Sequence, residues 1–435
     1  MADEGLLARF GFYESIDYTP ERLPQDQTFA IIRAYMAHHQ GMILVALNNL
    51  VHTNIMQKRF HAEPLVQATE LLLQERIPHN TPAAHPRAEE VLSSRIVRQL
   101  SGRVTRVFDT PNLSSPRVQL LSNGAYSVMI TTSGAGYSMH KDIAVTRWLS
   151  DTTRDCWGSF IYLRDLTSGK VWSSGYQPLG EVPGFYEVSF SEDKAVIKRR
   201  DGTIETRTEI IVSPEDNAEI RRVSITNNSL AMREIEVTSY AEIVLVPPKA
   251  DAAHPAFSNP SIETEFNSDE NSLIAKRRPR AETDEAIWAI HTIATDSEIV
   301  GAVQYETDRA RFLGRGRDAR EPSAMIEDRP LSNRVGAVLD PIFSLRYCLR
   351  VNPHETVRIS FSTAVANSYE EALRLADKYH DISIFEREAA LAWTRSQVEM
   401  RHLNISLRVR IFFSGWPPTF STRTFLCAHA QEYWP

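Results

Sequence analysis

Two carboxylates, Glu14 and Asp17, lie in the run GFYESIDYTPER at 11–22, with Tyr13 and other aromatic side chains beside them. Rings stack on sugar faces, and a carboxylate serves as acid, base or nucleophile at a glycosidic bond. The same run also reads as a turn leading into a helix, with both acids solvated. A second stretch, RAYMAHHQGM at 33–42, sets His38 and His39 side by side. Adjacent helical residues point about 100° apart, so the pair is a poor ligand set for one ion. No HExxH spacing accompanies it, and no metal or cofactor is expected. These histidines are read either as satisfied in a core or as lining a polar pocket.

The densest polar and aromatic stretch is GAGYSMHKDIAVTRWLSDTTRDCWGSFIYLRD at 134–165. It combines Gly134 and Gly136 with Tyr137, Lys141, Asp142, Arg147, Trp148, Asp151, Arg154 and Asp155. Read as a loop with hinge glycines between strands, it is a ligand surface. Read as charges alone, it is a surface cluster of ion pairs. The chain has no Walker loop and no GxSxG, and its GAG lacks the third glycine of a dinucleotide fingerprint.

The elements that must hold these residues change character along the chain. Residues 1–78 read as helical, because Ile31, Ile32, Tyr35, Met36, Met42, Ile43, Ala46, Leu47 and Leu50 recur at three- and four-residue steps. A second helix is expected through Leu65, Leu71, Leu72 and Leu73, ending before Pro78. Residues 79–99, rich in proline at their start, read as a linker. Over 100–366 the period shortens to two. Tyr126, Val128 and Ile130 alternate with Ser127, Met129 and Thr131, which predicts a strand with one buried face. Asn123-Gly124 and Asp201-Gly202 signal hairpins. Many such strands in succession predict a large antiparallel sandwich, with polar 251–285 as an excursion from it. Residues 367–406 return to helix, capped by Asn367 or Ser368. Residues 407–435 have no sustained period and contain Pro417-Pro418.

The 435 residues carry a net charge of -7, which disfavours nucleic acid as the main partner. No apolar run is long enough for a membrane span. The N-terminal Met-Ala-Asp-Glu-Gly has neither the basic nor the apolar region of a secretory signal. Three widely spaced cysteines suggest a reducing, cytoplasmic setting.

Two long runs carry a resemblance. EGLLARFGFYESIDYTPERLP…AIIRAYMAHHQGMILVALNNLV resembles the end of the glycoamylase-like cyclisation domain of bacterial cyclic β-1,2-glucan synthases. SSPRVQLLSNGAYSVMITTSGAGYSMHKDIAVTRW…TRDCWGSFIYLRD is similar to the start of the glycoside hydrolase family 94 region that follows it. The resemblance covers residues 1 to about 406 and implies a mainly β fold with flanking helices. Its parts are a helical fragment of an (α/α)6 barrel, a galactose-mutarotase-like β-supersandwich and linker helices. It also implies a fragment shortened at both ends, without the phosphorylase barrel and with carbohydrate binding as the remaining capacity. An active glycosyltransferase or phosphorylase and a non-functional product of a disrupted gene are the alternatives.

The resemblance makes Glu14 a relic catalytic carboxylate whose acidic partner lies upstream. It makes Tyr13, Asp17, Tyr35, His38, His39, Gln40, Tyr137, Lys141, Asp142, Arg147 and Trp148 candidate sugar contacts. The implied partner is a β-1,2-glucan or gluco-oligosaccharide, and a homodimer or association with other synthase fragments follows by analogy. The parent synthases are inner-membrane proteins, with this region expected on the cytoplasmic side.

Overall fold

The structure is a computed structural model that describes residues 5–8, 11–13, 15–18, 28–35, 37–63, 66–67, 105–111, 113, 117–149, 155–253, 259–279, 286–327 and 329–402. The chain divides into two units, Met1–Leu100 and Ser101–Pro435.

In the first unit, β1 (Leu7–Ala8) pairs with β2 (Gly11–Phe12), and β3 (Ser15–Asp17) pairs with β4 (Ala30–Ile32). Two helices follow, α1 (Ala37–Val51) and α2 (Ile55–His61). The Asn49 side chain accepts the Met56 N–H at 2.8 Å, tying the start of α2 back to α1. The expectation of helix throughout 1–78 is therefore corrected. Ile31 pairs with Ile16 across a ladder, so neither residue lies in a helix. Ile31 and Ile32 matched the helical period by coincidence, because β-branched residues suit a strand equally well. Of the second expected helix only Val66 and Gln67 are described, and they are helical. Leu65, Leu71, Leu72 and Leu73, the linker 79–99 and the tail 407–435 lie outside the described residues.

The second unit is two antiparallel sheets packed face to face. Its strands begin with β5 (Arg106–Phe108), β6 (Val118–Ser122), β7 (Tyr126–Thr131), β8 (Gly136–His140), β9 (Ile143–Thr146), β10 (Phe160–Asp165) and β11 (Val171–Ser173). They continue with β12 (Phe185–Phe190), β13 (Ala195–Asp201), β14 (Ile204–Val212), β15 (Ala218–Asn227) and β16 (Arg233–Val246). After α3 (Pro248–Ala253) come β17 (Ile262–Asn267), β18 (Ser272–Arg277), β19 (Ile287–Thr295) and β20 (Gln304–Asp308). Short α4 (Arg309–Leu313) and α5 (Ser323–Ile326) precede β21 (Gly336–Ala337), β22 (Pro341–Val351) and β23 (Thr356–Ala366). One sheet runs β11-β10-β16-β9-β8-β7-β6, with β22 and β20 joined through β16. The other runs β21-β17-β18-β19-β23-β15-β14-β13-β12-β5.

Alternation sends Val128, Ile130, Leu163, Val237, Phe343 and Leu345 of the first sheet against Ile197, Ile210, Val223, Ile359 and Phe361 of the second. Each fully buried aliphatic or aromatic side chain there contributes about 1.5–3 kcal/mol of transfer free energy. The outer face of the second sheet is covered by α6 (Tyr369–His380) and α7 (Ile384–His402). There Leu375, Tyr379 and Phe385 meet Ile211, Ile220, Ile274 and Ile290. The Ser368 hydroxyl accepts the Glu371 N–H at 3.1 Å, so Ser368 is the cap. The expected single helical stretch is two helices, broken where the Asp381 carboxylate takes the N–H and hydroxyl of Ser383.

Two further expectations are corrected. Polar 251–285 is not an excursion but holds α3, β17 and β18. Ile262, Leu273 and Ala275 reach the core while Glu263, Glu265 and Lys276 leave it, so a half-solvated pair looks polar by composition. Strand β7 buries both faces rather than one. Met129 and Thr131 are covered, and Asp155 closes over Thr131 with a 2.7 Å hydrogen bond.

Candidate functional site

The first unit brings together two of its candidate sugar contacts. Tyr13 follows β2 and Tyr35 follows β4, and their ring centroids lie 5.4 Å apart at 37°. Asp17 is half-buried at the end of β3, opposite Ala30. His39 is half-buried and Gln40 exposed at the start of α1. Glu14 and the side chain of His38 lie outside the described residues.

In the second unit the stretch 134–149 is mainly a hairpin rather than a loop. Gly136 is no hinge: a Cβ there would stand 1.8 Å from the Met129 carbonyl oxygen, so glycine is required for close approach of β7 to β8. The Ser138 hydroxyl donates to buried Glu219 between the sheets, which sends Ser138 inward and Tyr137 and Met139 to the outer face. The register Leu120↔Met129 and Met129↔Tyr137 continues that face across β6, β7 and β8. Trp148, just past β9, lies on Tyr137 with centroids 5.4 Å apart at 58°, and keeps 37% of its surface exposed. Asp155 borders the same face, accepting from the hydroxyls of Thr131 and Ser133. Two aromatics and a carboxylate thus converge on the outer surface of β7–β9.

Lys141 and Asp142 do not join them. They form the two-residue turn between His140 and Ile143, with Lys141 at φ 49°. At about 3.3 Å per strand residue, Lys141 stands on the order of 13 Å along β8 from Tyr137. Asp151 and Arg154 lie outside the described residues.

Arg147 is turned into the protein instead of toward a ligand. Its guanidinium donates to Glu242 at 2.8 Å, to both oxygens of Asp251 at 3.0 and 3.1 Å, to Asp340 at 3.0 Å and to Asn259 at 2.8 Å. Arg309 adds bonds to Glu242 at 2.7 Å and Asp340 at 3.2 Å. Burial alone would lower the Arg147 pKa, but its hydrogen bonds to Asp251 and the charge of Glu242 outweigh that and raise it. Arg147 is therefore the centre of a buried ion cluster rather than part of a surface one, and its bonds tie down the chain next to Trp148. Sequence reasoning missed its partners because β16, α3, the short turn at Asn259 and the residue before β22 contribute them from distant positions. Among the described residues there is no group of His, Cys, Asp and Glu that could hold a metal. Nor is any described helix long and apolar enough to cross a membrane.

A mainly antiparallel double-sheet unit, with two helices packed on one outer face and an aromatic patch on the other, has the architecture of a supersandwich. Residues 102–382 match the supersandwich domain of glycosyl hydrolase 94, and the chain belongs to that family. It is 38% identical over 407 residues to a cyclic β-(1,2)-glucan synthase of Rhizobium meliloti (strain 1021), covering 93% of this chain and 14% of that protein. It is also similar to an N,N'-diacetylchitobiose phosphorylase of Vibrio furnissii, at 27% identity over 69% of this chain and 37% of the relative. A solabiose phosphorylase of Paenibacillus borealis matches at 25% identity over 50% of this chain and 27% of its own length. The chain thus spans a small part of the synthase and between about a quarter and two fifths of each phosphorylase.

Proposed function

We propose that this chain binds β-1,2-gluco-oligosaccharide on the outer face of β7–β9, as one stretch of a cyclic β-glucan-synthase-type protein. The observation that carries this is the partly exposed Trp148 ring resting on Tyr137, with the Asp155 carboxylate on the same face. The aromatic faces would take the C–H faces of a glucosyl unit, and Asp155 would accept a sugar hydroxyl while Thr131 and Ser133 hold it in place. The Arg147 ion cluster, next in sequence to Trp148, keeps that ring from turning away.

In this reading residues 1–78 are the tail of a glycoamylase-like domain and 79–99 a linker. Residues 100–366 are the supersandwich and 367–406 its linker helices, all on the cytoplasmic side of the membrane. Tyr13 and Tyr35 are a second, smaller aromatic contact in the first of these parts.

Calorimetric titration of the purified chain with β-1,2-gluco-oligosaccharide tests the proposal. Saturable binding is expected, and Trp148→Ala is expected to abolish it; a flat titration at millimolar sugar would sink the reading. The phosphorylase relatives give a second reading, turnover rather than binding. Phosphate-dependent release of glucose 1-phosphate from the same glucan would establish it, and none would dispose of it.

A further inference from the structure

We propose that a groove at one end of the sandwich is a second sugar subsite, so that the chain engages an extended gluco-oligosaccharide rather than a single terminal unit. This rests on the carbohydrate reading above. The groove has a volume of about 370 Å³, in the range of small-ligand sites, and is walled by Asp109, Tyr176, Val182, Pro183, Phe185 and Tyr186. The Phe185 ring is 44% exposed although it stands in a strand, and Tyr176 is half-buried behind it. Tyr186 is buried, and its hydroxyl donates to the Thr132 carbonyl at 2.7 Å, so it stiffens the wall.

The charge of the lining selects the ligand. Among the described residues it holds one carboxylate, Asp109, and no cation, which suits a neutral polyhydroxyl ligand better than an anionic one. Another groove of comparable size, about 350 Å³ over Arg207, Arg222 and Arg358, is charged. Its Glu209 is already engaged by Lys194, Arg207 and Arg222.

The loop that carries Tyr176 is tied to the turn beside the Trp148 face. The N–H groups of Tyr176 and Gln177 donate to the Ser133 carbonyl at 3.0 and 2.8 Å, and the Ser133 hydroxyl donates to Asp155. The proposed path of a ligand of several glucosyl units runs over this turn, residues 131–135, from one surface to the other.

The test is calorimetric titration of the full chain with a β-1,2-linked disaccharide and a β-1,2-linked octasaccharide. The octasaccharide is expected to bind at least about tenfold more tightly. Phe185→Ala should remove that advantage and leave disaccharide affinity unchanged, with Asp109→Asn acting in the same direction. Circular dichroism and the urea midpoint should match the parent chain, since the Phe185 ring is exposed. Equal affinity for the two ligands, or a length advantage that survives Phe185→Ala, would overturn the second subsite while leaving the Trp148 face standing. Octasaccharide binding that survives Trp148→Ala and is lost in Phe185→Ala would support the groove and remove the face. No binding of either ligand would remove both.

Discussion

Helix α1 and the inner strands of the sandwich are both rich in aliphatic side chains, yet they end in opposite environments. Met42, Leu44, Leu50 and Val51 on α1 keep 66, 67, 80 and 71% of their surface exposed. Phe343, Leu345 and Ile359 between the sheets keep none. A helix that is apolar on all sides is one made to be enclosed. A strand that alternates needs a partner sheet only on one side, and the second unit supplies that partner itself. The sandwich is a closed object whose cost of change lies inside, whereas α1 is an open one whose liability lies at its surface. Three experiments would break or sharpen that contrast.

A large effect of a single substitution is expected inside the closed unit, at its buried charges. Arg147→Met removes one of two guanidinium groups that face the carboxylates of Glu242, Asp251 and Asp340. Arg309 still serves Glu242 and Asp340, but Asp251 loses both of its bonds to Arg147. Breaking a buried pair in this way costs about 3–5 kcal/mol. Arg147→Lys should fall between, because an ammonium keeps the charge but cannot span both Asp251 oxygens. Urea midpoints measure both, and a midpoint unmoved in Arg147→Met would show that the cluster is no part of the closed interior.

The next effect is a slope with pH. His291 stacks between Phe343 and Phe361 and hydrogen-bonds Thr363 and Ser239, each at 2.9 Å. Burial pushes its pKa down from 6.5 to about 3. A histidine held neutral in the fold takes up a proton more readily when unfolded. Its stabilisation is therefore complete above pH 6.5 and is lost as pH falls toward 3. The slope is about 1.4 kcal/mol per pH unit within that window. His140, lowered chiefly by burial, adds in the same direction. Lowered carboxylates such as Asp216 act further down, where the unfolded carboxyl begins to protonate. Between pH 6.5 and 5 the loss should therefore be shallower in His291→Asn, whatever that variant's absolute stability. Parallel curves for the two proteins would contradict the assignment.

Much of the sandwich could be read from the sequence because local rules set it. Asn123 turns the chain between β6 and β7 by accepting the N–H groups of Ala125 and Tyr126 at 3.0 and 2.7 Å, with Gly124 at φ +94°. Gly202 at φ +64° does the same between β13 and β14. The site was legible only in part. Trp148 and Tyr137 stood out by type, and pairing of β8 with β9 brings them together. Arg147 stood out too, but its partners Glu242, Asp251, Asn259 and Asp340 lie 95, 104, 112 and 193 positions further on. No spacing rule reaches that far, so a buried anchor looked like a ligand contact. The strands described among the first 35 residues were misread for the opposite reason, since elements of two or three residues are too short to show a period.

The smallest change in stability, and the sharpest test of the contrast, is expected on α1. Exposed apolar side chains contribute little to folding, so Leu44→Lys with Leu50→Lys should move the urea midpoint by no more than about 0.5 kcal/mol. Their contribution is to association. Met42, Ile43, Leu44, Leu47, Leu50 and Val51 form a contiguous apolar surface, and such surfaces draw copies of a protein together. Two added lysines should lower the apparent mass in sedimentation velocity and reduce binding of a hydrophobic dye. A matching pair of charges in the sandwich interior, Leu345→Lys with Ile359→Lys, should instead prevent folding. If the α1 pair also lowered the midpoint by several kcal/mol, that helix would be enclosed in solution and the difference between the two units would vanish. A chain that stays folded but no longer associates would locate the liability on α1 alone.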